Sequence, residues 1–305
     1  MSDQDVIVPA AHRALIGKII EGKYEVRSVI GSGGMGTVFE AKHVAIGRVV
    51  AIKALHPSQV ENPTAVKRFH QEAWAAGSTG HPSLCEVYDV GLMPDKAPFI
   101  VMERLFGQTL SERLDKAARL TVREAVAIMM HVLAGLDAVH EKGVIHRDIK
   151  PENVFITEKK NQPRGVKVLD FGVSKVIAGS GADGDWDDKS ALTKTGVVMG
   201  TPYYVSPEQA RARRDIDART DIYSCGVVLY EALTGEIPYD AHHFNALLLR
   251  IIQGNPRPPR EIVDSIPPEL EGVILKSLSL DREARFGTAR EMARALQPFV
   301  SATSS

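Results

Sequence analysis

The hydrophobic period of the chain changes near residue 105, and this change restricts the fold more than any other feature of the sequence. Before it, Tyr24–Ile30, Thr37–Lys42 and Arg48–Ala54 are β-branched or apolar runs separated by glycine-containing turns, the pattern of an antiparallel meander. Asn62 followed by Pro63 reads as a helix start, and Val66, Phe69 and Ala73 recur at helical spacing as far as Gly77. Two more strand-like runs, Leu84–Val90 and Phe99–Glu103, complete about five strands and one helix. After the change, helical spacing dominates to Phe299. Thr109 with Glu112, Thr121 with Glu124 and Thr288 with Glu291 have capping-box spacing. On the Thr121 helix, Val122, Val126, Met129, Leu133, Leu136 and Val139 form one apolar stripe, closed by Gly143. Residues 1–22 carry no sustained period and are set apart as a partly helical leader. The Gly/Asp-rich run Gly179–Lys189 reads as a loop. Strands followed by helices make an α+β arrangement, with the boundary at Glu103–Gly107.

Composition removes several classes of function. A chain of 305 residues with 44% hydrophobic content can fill a sizeable core, which excludes disorder, collagen and a small disulfide scaffold. Lys+Arg 37 against Asp+Glu 38 gives a formal charge of −1 and a pI near 6.8, so no polyanion-binding surface and no nucleic-acid partner is expected. Only Cys85 and Cys225 occur, without CxxC spacing, as suits a reducing compartment. The longest apolar candidate, Ile222–Tyr230, is half of the roughly 18 residues a membrane span needs, and Asp3 and Asp5 stand where a signal peptide carries positive charge. A soluble, cytoplasmic chain is the expectation.

The chemistry-bearing motifs begin with Gly31-Ser32-Gly33-Gly34-Met35-Gly36-Thr37-Val38, a G-x-G-x-x-G-x-V pattern. Closely spaced glycines let backbone N–H groups approach phosphate oxygens with no Cβ in the way. A plain glycine-rich hairpin turn would look the same. A Walker A loop fails because Thr37, not lysine, follows Gly36, and a Rossmann fingerprint fails because Thr37–Glu40 reads as strand, not helix. The nucleotide loop of protein kinases sits between two antiparallel strands and requires a lysine on the next one, which Val50-Ala51-Ile52-Lys53 supplies.

From here the sequence resembles the protein kinase family, and the resemblance runs from Gly31 to Arg285. It implies a bilobal fold: an N-lobe over residues 23–103, a mainly helical C-lobe over 104–299 with an activation segment at 170–208, and a tail at 300–305. It implies nucleotide contacts along Ile30, Gly31, Ser32, Gly33, Gly34, Met35, Gly36, Thr37 and Val38, with Lys53 on the α/β-phosphates of ATP and Glu72 orienting its ammonium. Met102 resembles the gatekeeper, Glu103 and Leu105 the hinge, and Val38, Ala51 and Phe155 the residues that sandwich adenine.

The strongest signal is His146-Arg147-Asp148-Ile149-Lys150-Pro151-Glu152-Asn153. Its six matches to H-R-D-x-K-P-x-N would arise by chance about once in 10⁷–10⁸ positions. Phosphoryl transfer needs one carboxylate to accept the proton of an attacking hydroxyl and one amide oxygen five residues on to ligate Mg²⁺. The resemblance assigns these to Asp148 and Asn153, with Lys150 steadying the γ-phosphate as in Ser/Thr kinases and His146 as a packed structural residue. Asp170-Phe171-Gly172 supplies the second Mg²⁺ ligand, Asp170. Because Lys53, Glu72, Asp148, Asn153 and Asp170 are all present, a nucleotide-binding pseudokinase scaffold is disfavoured. A small-molecule kinase is opposed by Gly200–Glu208, which resembles the peptide-positioning end of an activation loop, with Ser206 where the family's A-P-E has alanine. The resemblance also pairs Glu208 with Arg285, has Asp221 steady the catalytic loop, and sets Thr201 near Asp148 and Lys150.

Leu192–Thr201, with Thr193 and Thr195, resembles the T-x-T segment of bacterial PknB-like Ser/Thr kinases. Arg147 is a cation that needs an anion if buried, and in the family such an arginine is commonly paired by a phosphorylated activation-loop residue, so the resemblance implies autophosphorylation of Thr193 and Thr195 that orders the loop. Ala76, four residues after Glu72, is smaller than usual for the contact towards Phe171, which implies an inactive, helix-out state that is well populated without loop phosphorylation. Protein substrates and homodimerisation through the N-lobe are carried over from the same resemblance. So is the observation that such relatives often continue into a membrane span and a sensor, which makes this chain either a free cytosolic kinase or a part of something longer.

Overall fold

The computed structural model describes residues 8–33, 36–93, 95–158, 165–170, 202–241 and 243–300, with only the backbone described at Arg68, Glu72, Ala75 and Ala76. The chain divides into two compact units, Met1–Phe106 and Gly107–Ser305.

The first unit is built on a six-stranded antiparallel sheet ordered β1-β2-β3-β4-β6-β5. The strands are β1 (Ile19–Ile20), β2 (Tyr24–Gly33), β3 (Gly36–His43), β4 (Val49–Leu55), β5 (Val87–Leu92) and β6 (Pro98–Glu103). The five expected strands are present. The sixth, β1, comes from the run set apart as a leader, which also forms the short helix α1 (Ala10–Arg13). Four helical residues and two paired ones are too few to leave a period in the sequence, although Leu15 and Ile20 join the core.

The main core gathers Val26, Phe39, Ala41, Val50, Ile52, Ala54, Phe99 and Val101 on one face. Residues alternate across a strand, so Ala51, Lys53 and Leu55 of β4 take the other face. There Leu55 packs with Ile100 and with Phe69 and Ala73 of α2 (Pro63–Gly77). Asn62 caps this helix as its sequence predicts, its Oδ1 accepting from Thr64 N–H at 3.0 Å and Ala65 N–H at 3.2 Å. The sheet is curled strongly enough that β5 meets the start of β2 at the far end of the strand order. Tyr24 Oη donates to Asp89 Oδ2 at 3.0 Å, and the Glu21 carboxylate accepts from Leu92 N–H at 2.9 Å.

The second unit carries a small antiparallel sheet ordered β7-β8-β9, made of Gly107–Thr109, Val154–Thr157 and Gly165–Val168. Around it stand α3 (Leu110–Ala117), α4 (Val122–His140), α5 (Pro207–Ala210), α6 (Arg219–Thr234), α7 (Phe244–Gln253), α8 (Pro268–Ser277) and α9 (Ala289–Leu296). Thr109, Thr121 and Thr288 each accept from the backbone N–H three residues on, as their spacing predicts. The apolar run Ile222–Tyr230 is explained by α6, which is buried on nearly every side. Gly226 lets α8 approach it closely, because a Cβ there would lie 2.7 Å from Ser277 Cβ. Cys85 and Cys225 are both buried and unbridged. No helix among the described residues is long and apolar enough to cross a membrane.

A second close approach sets the geometry of the β2–β3 hairpin. A Cβ on Gly36 would fall 2.0 Å from the Ala54 carbonyl oxygen of β4, whereas a Cβ on Gly33 would meet nothing within 4 Å. Gly36→Ala should therefore cost about 1–3 kcal/mol in denaturant unfolding, and Gly33→Ala should stay within about 0.5 kcal/mol. Equal costs for the two would contradict this packing.

Candidate active site

The loop joining α4 to β8 gathers the second unit's predicted catalytic residues around one buried carboxylate. Asp221, in the first turn of α6, is fully buried. Its Oδ2 accepts from His146 N–H at 2.8 Å and lies 2.7 Å from His140 Nε2, while its Oδ1 accepts from Arg147 N–H at 2.7 Å. Burial alone would raise the Asp221 carboxyl, but its hydrogen bonds with the His140 ring and with the His146 and Arg147 N–H groups outweigh it and hold the carboxyl below its ordinary value. Arg147 has φ 65°, a left-handed conformation uncommon for a residue with a side chain, and Gln209 Nε2 fixes its carbonyl from α5 at 3.0 Å.

His146 is a packed residue here. Its Nδ1 accepts from Asp148 N–H at 3.3 Å and its Nε2 reaches the Leu169 carbonyl at 2.9 Å, which assigns the neutral Nε2–H tautomer. Burial holds the imidazole below its usual value. The next residues converge. Lys150 Nζ lies 3.2 Å from Asp148 Oδ2, and Asn153 Nδ2 donates to the Asp148 carbonyl at 2.7 Å and to Oδ2 at 3.2 Å. With Nδ2 committed to Asp148, the Asn153 amide presents its oxygen as the remaining ligand atom. Leu169 N–H donates to the Asn153 carbonyl at 2.8 Å, which places Asp170, exposed and at φ 44°, directly after the tie. An amide oxygen and a carboxylate are hard donors that suit Mg²⁺, an ion that usually completes its shell with water and substrate phosphate.

The end of the predicted activation segment is anchored as its residues suggest. Arg285 and Glu208 form a two-pronged buried pair at 2.7 and 2.8 Å, and Arg285 also donates to the Ser279 and Arg219 carbonyls. Burial opposes the Glu208 charge, but these contacts with Arg285 keep its carboxyl lowered. Ser206, the departure from alanine, caps α5 by accepting from Gln209 N–H at 3.3 Å, and its hydroxyl lies 2.5 Å from that of Thr220. Beside the loop is a cavity of about 600 Å³ lined by Glu152, Tyr203, Tyr204, Glu231, Glu236 and Asp240 among others. Burial pushes the Glu231 carboxyl up, against a 2.7 Å hydrogen bond donated by Tyr204.

In the first unit, Ile30, Gly31, Ser32 and Gly33 end β2, and Gly36, Thr37 and Val38 open β3. Val38 stands opposite Lys53, and Ala51 opposite Met102. Lys53 is buried on β4, at 5% exposure. Glu103 accepts from Glu86 N–H, and the Arg104 guanidinium bridges Glu40 and the Leu105 carbonyl. Phe155 lies on β8 of the second unit, opposite Thr109 and Lys167. Gly34, Met35, Phe171, Thr193, Thr195 and Thr201 lie outside the described residues, as do the side chains of Glu72 and Ala76. The sequence reading missed His140 and Gln209. Each acts through a partner far along the chain; His140 belongs to no local pattern, whereas Gln209 completes an S-x-x-Q capping box with Ser206 that the sequence does offer.

The family model for the protein kinase domain matches residues 24–297. The chain belongs to the protein kinase family. It is 39% identical over 284 residues to the serine/threonine-protein kinase pkn3 of Myxococcus xanthus, covering 92% of this chain and 51% of that protein. It is 36% identical over 276 residues to the serine/threonine-protein kinase PknB of Mycobacterium leprae, covering 90% and 42%. The kinase chain thus spans about half the length of the curated relatives it matches. Among solved structures, the PknI kinase domain of Mycobacterium tuberculosis superposes with a TM-score of 0.72 at 25% identity, covering 94% of this chain and 100% of that one. The bilobal kinase fold expected from the motifs is therefore present.

The buried groups give the kinase a pH signature. His146 has a folded pKa below its ordinary 6.5, so the unfolded chain binds the extra proton and stability falls as pH drops below about 6.5. The slope should be at most about 1.4 kcal/mol per pH unit for this group. Asp221 and Glu208 are depressed from 3.8 and 4.5, so their contribution is present above those values and is lost as pH falls further. Denaturant unfolding at a series of pH values should show a plateau above pH 7 and two stages of loss below it; a profile level from pH 7 to 5 would contradict a neutral, buried His146.

Proposed function

We propose that this chain transfers the γ-phosphate of ATP to Ser/Thr hydroxyls of proteins, with Mg²⁺ as the accompanying ion. The observation that carries the reading is the convergence of Lys150 and Asn153 on the Asp148 carboxylate, each 3.2 Å from its Oδ2. Asp148 accepts the proton of the attacking hydroxyl, and Lys150 holds positive charge beside it where charge on the transferring group must be offset. Asn153 and Asp170 would hold Mg²⁺, which when bound neutralises charge on the phosphate oxygens. In the first unit, the backbone of the Gly31–Val38 hairpin faces the phosphates and Lys53 pairs with them, oriented by Glu72. Val38, Ala51, Met102, Glu103 and Leu105 of the same unit receive the adenine. The relatives' names as serine/threonine-protein kinases support the choice of hydroxyl. The two buried, unbridged thiols support a cytoplasmic setting.

Activation follows from autophosphorylation of Thr193 and Thr195. Two things support this: the T-x-T resemblance, and Arg147, whose buried Nε has no hydrogen-bond partner among the described residues.

Radiolabelled ATP–Mg²⁺ with a protein acceptor tests the reaction. Asp148→Asn should lower transfer by about 10²–10⁴-fold, as expected for loss of the proton acceptor. Transfer that survives the substitution would refute the assignment. Intact-mass and peptide analysis after incubation with ATP–Mg²⁺ should find phosphate on Thr193 and Thr195, and its absence from both would overturn the activation scheme.

A further inference from the structure

The residues before β2 do more than lead into the sheet. His12, in α1, is 1% exposed, and its Nδ1 lies 2.7 Å from the hydroxyl of Thr37, which is itself fully buried. The imidazole meets Phe39 edge-on with centroids 5.7 Å apart at 74°, and lies 6.3 Å from the His56 ring. The segment is tied again further along. Gly17 N–H donates to the Val26 carbonyl at 2.8 Å, Val26 N–H donates to the Lys18 carbonyl at 2.9 Å, and Leu15 and Ile20 enter the core beside Val26 and Phe39. Pro9–Ile20 is thus fastened at both ends, with its one buried polar side chain on the hairpin.

Thr37 is the second residue of β3, paired with Ser32 across the hairpin and with Ala54 of β4. It therefore stands at the base of the glycine-rich turn. A buried hydroxyl costs free energy unless it is hydrogen-bonded, so the His12 contact favours one placement of the strand ends that carry the turn. Burial and His56 keep the His12 ring below its usual value, opposed by Asp95 and the Leu55 carbonyl, so the ring is neutral at neutral pH and keeps one nitrogen able to accept. Gly31, Gly33 and Gly36 lie in those strand ends, where glycine loses more conformational freedom on ordering than other residues, so fixing the strand ends before the ligand arrives removes part of the ordering cost of binding.

We propose that Pro9–Ile20 is a strap in which His12, acting through the Thr37 hydroxyl, positions the glycine-rich strand ends Gly31–Gly33 and Gly36–Val38 against the phosphates of the nucleotide. His12 is a positioning residue, and the inference rests on the reading of Gly31–Val38 as the phosphate-binding turn. The strap acts on these strand ends alone, so it affects ligands that carry phosphates and spares those that lack them.

The test is calorimetric binding of ATP–Mg²⁺ and of adenosine to the full chain and to His12→Ala, His12→Asn, Thr37→Val and the double variant His12→Ala/Thr37→Val. His12→Ala should weaken ATP about five- to tenfold, the scale of one buried hydrogen bond, and leave adenosine within about twofold. His12→Asn, which keeps a polar atom near the Nδ1 position, should restore most of the ATP affinity. Thr37→Val should match His12→Ala, and the double variant should be no worse than either single one. Unchanged ATP affinity in His12→Ala would overturn the inference, as would an equal loss for adenosine, which marks a merely structural role. Should His12→Ala not fold, Thr37→Val and His12→Asn give the same comparison of the two ligands. Failure of the unsubstituted chain to bind ATP would overturn the nucleotide reading and the strap with it, whereas normal binding with an indifferent His12 would remove the strap alone.

Discussion

The buried carboxylate of Asp221 is the constraint on which the second unit's chemistry depends. It sits in the first turn of α6, where unpaired N–H groups and the helix dipole favour negative charge. From there its oxygens accept from two consecutive backbone N–H groups of the loop between α4 and β8 and meet the ring of His140. A loop that carries a non-glycine residue at positive φ stores strain of about 1–3 kcal/mol and stays in place only if its surroundings overdetermine it. Asp221 supplies that from one side, and Gln209 supplies it from the other through the Arg147 carbonyl. The side chains of Asp148, Lys150 and Asn153 are then presented as a consequence of where the backbone is held.

The same logic of placing charge by backbone geometry applies to the first unit. Strand β4 is buried on both faces, one against the main core and the other beside α2. Its period-two alternation commits Lys53 to the second face with Ala51 and Leu55, at 5% exposure. A buried lysine costs free energy unless it is paired, so this face is one that only a partnered cation can hold. The near-zero net charge of the whole chain bears on its surfaces and leaves room for such local cations.

Much of this was legible in the sequence because it is local. Capping residues act within three or four positions, so Asn62, Thr109, Thr121 and Thr288 announced their helices. The contiguous run His146–Asn153 announced the loop between α4 and β8 in which Lys150 and Asn153 meet Asp148, because its residues keep a fixed spacing. The buried pair of Glu208 and Arg285, far apart in the chain, was readable only through family resemblance. His140 and the tie from Gln209 to the Arg147 carbonyl were not readable, since each finds its partner by tertiary packing, although the S-x-x-Q spacing of Ser206 and Gln209 offered the cap itself. The short elements α1 and β1 were invisible for a related reason: four and two residues cannot establish a pattern, and their stability comes from Leu15, Ile20 and His12 packing onto a sheet formed by later residues. Ser206 was noticed as a departure from alanine, but its use as the cap of α5 appears only when Gln209 and Thr220 are placed around it.

If the loop is productive because Asp221 holds it, weakening that hold should impair transfer even though Asp221 itself touches no reactant. The most direct measurement is the single-turnover rate of γ-phosphate transfer from ATP–Mg²⁺ by Asp221→Asn. The amide replaces one acceptor oxygen with a donor that faces a loop N–H, so the loop shifts while α6 keeps its place. A displacement of about 1 Å at a reacting group can cost about a hundredfold in rate, and a fall of that size is the predicted result. A rate within about threefold of the unsubstituted chain, on the same scale, would contradict the account.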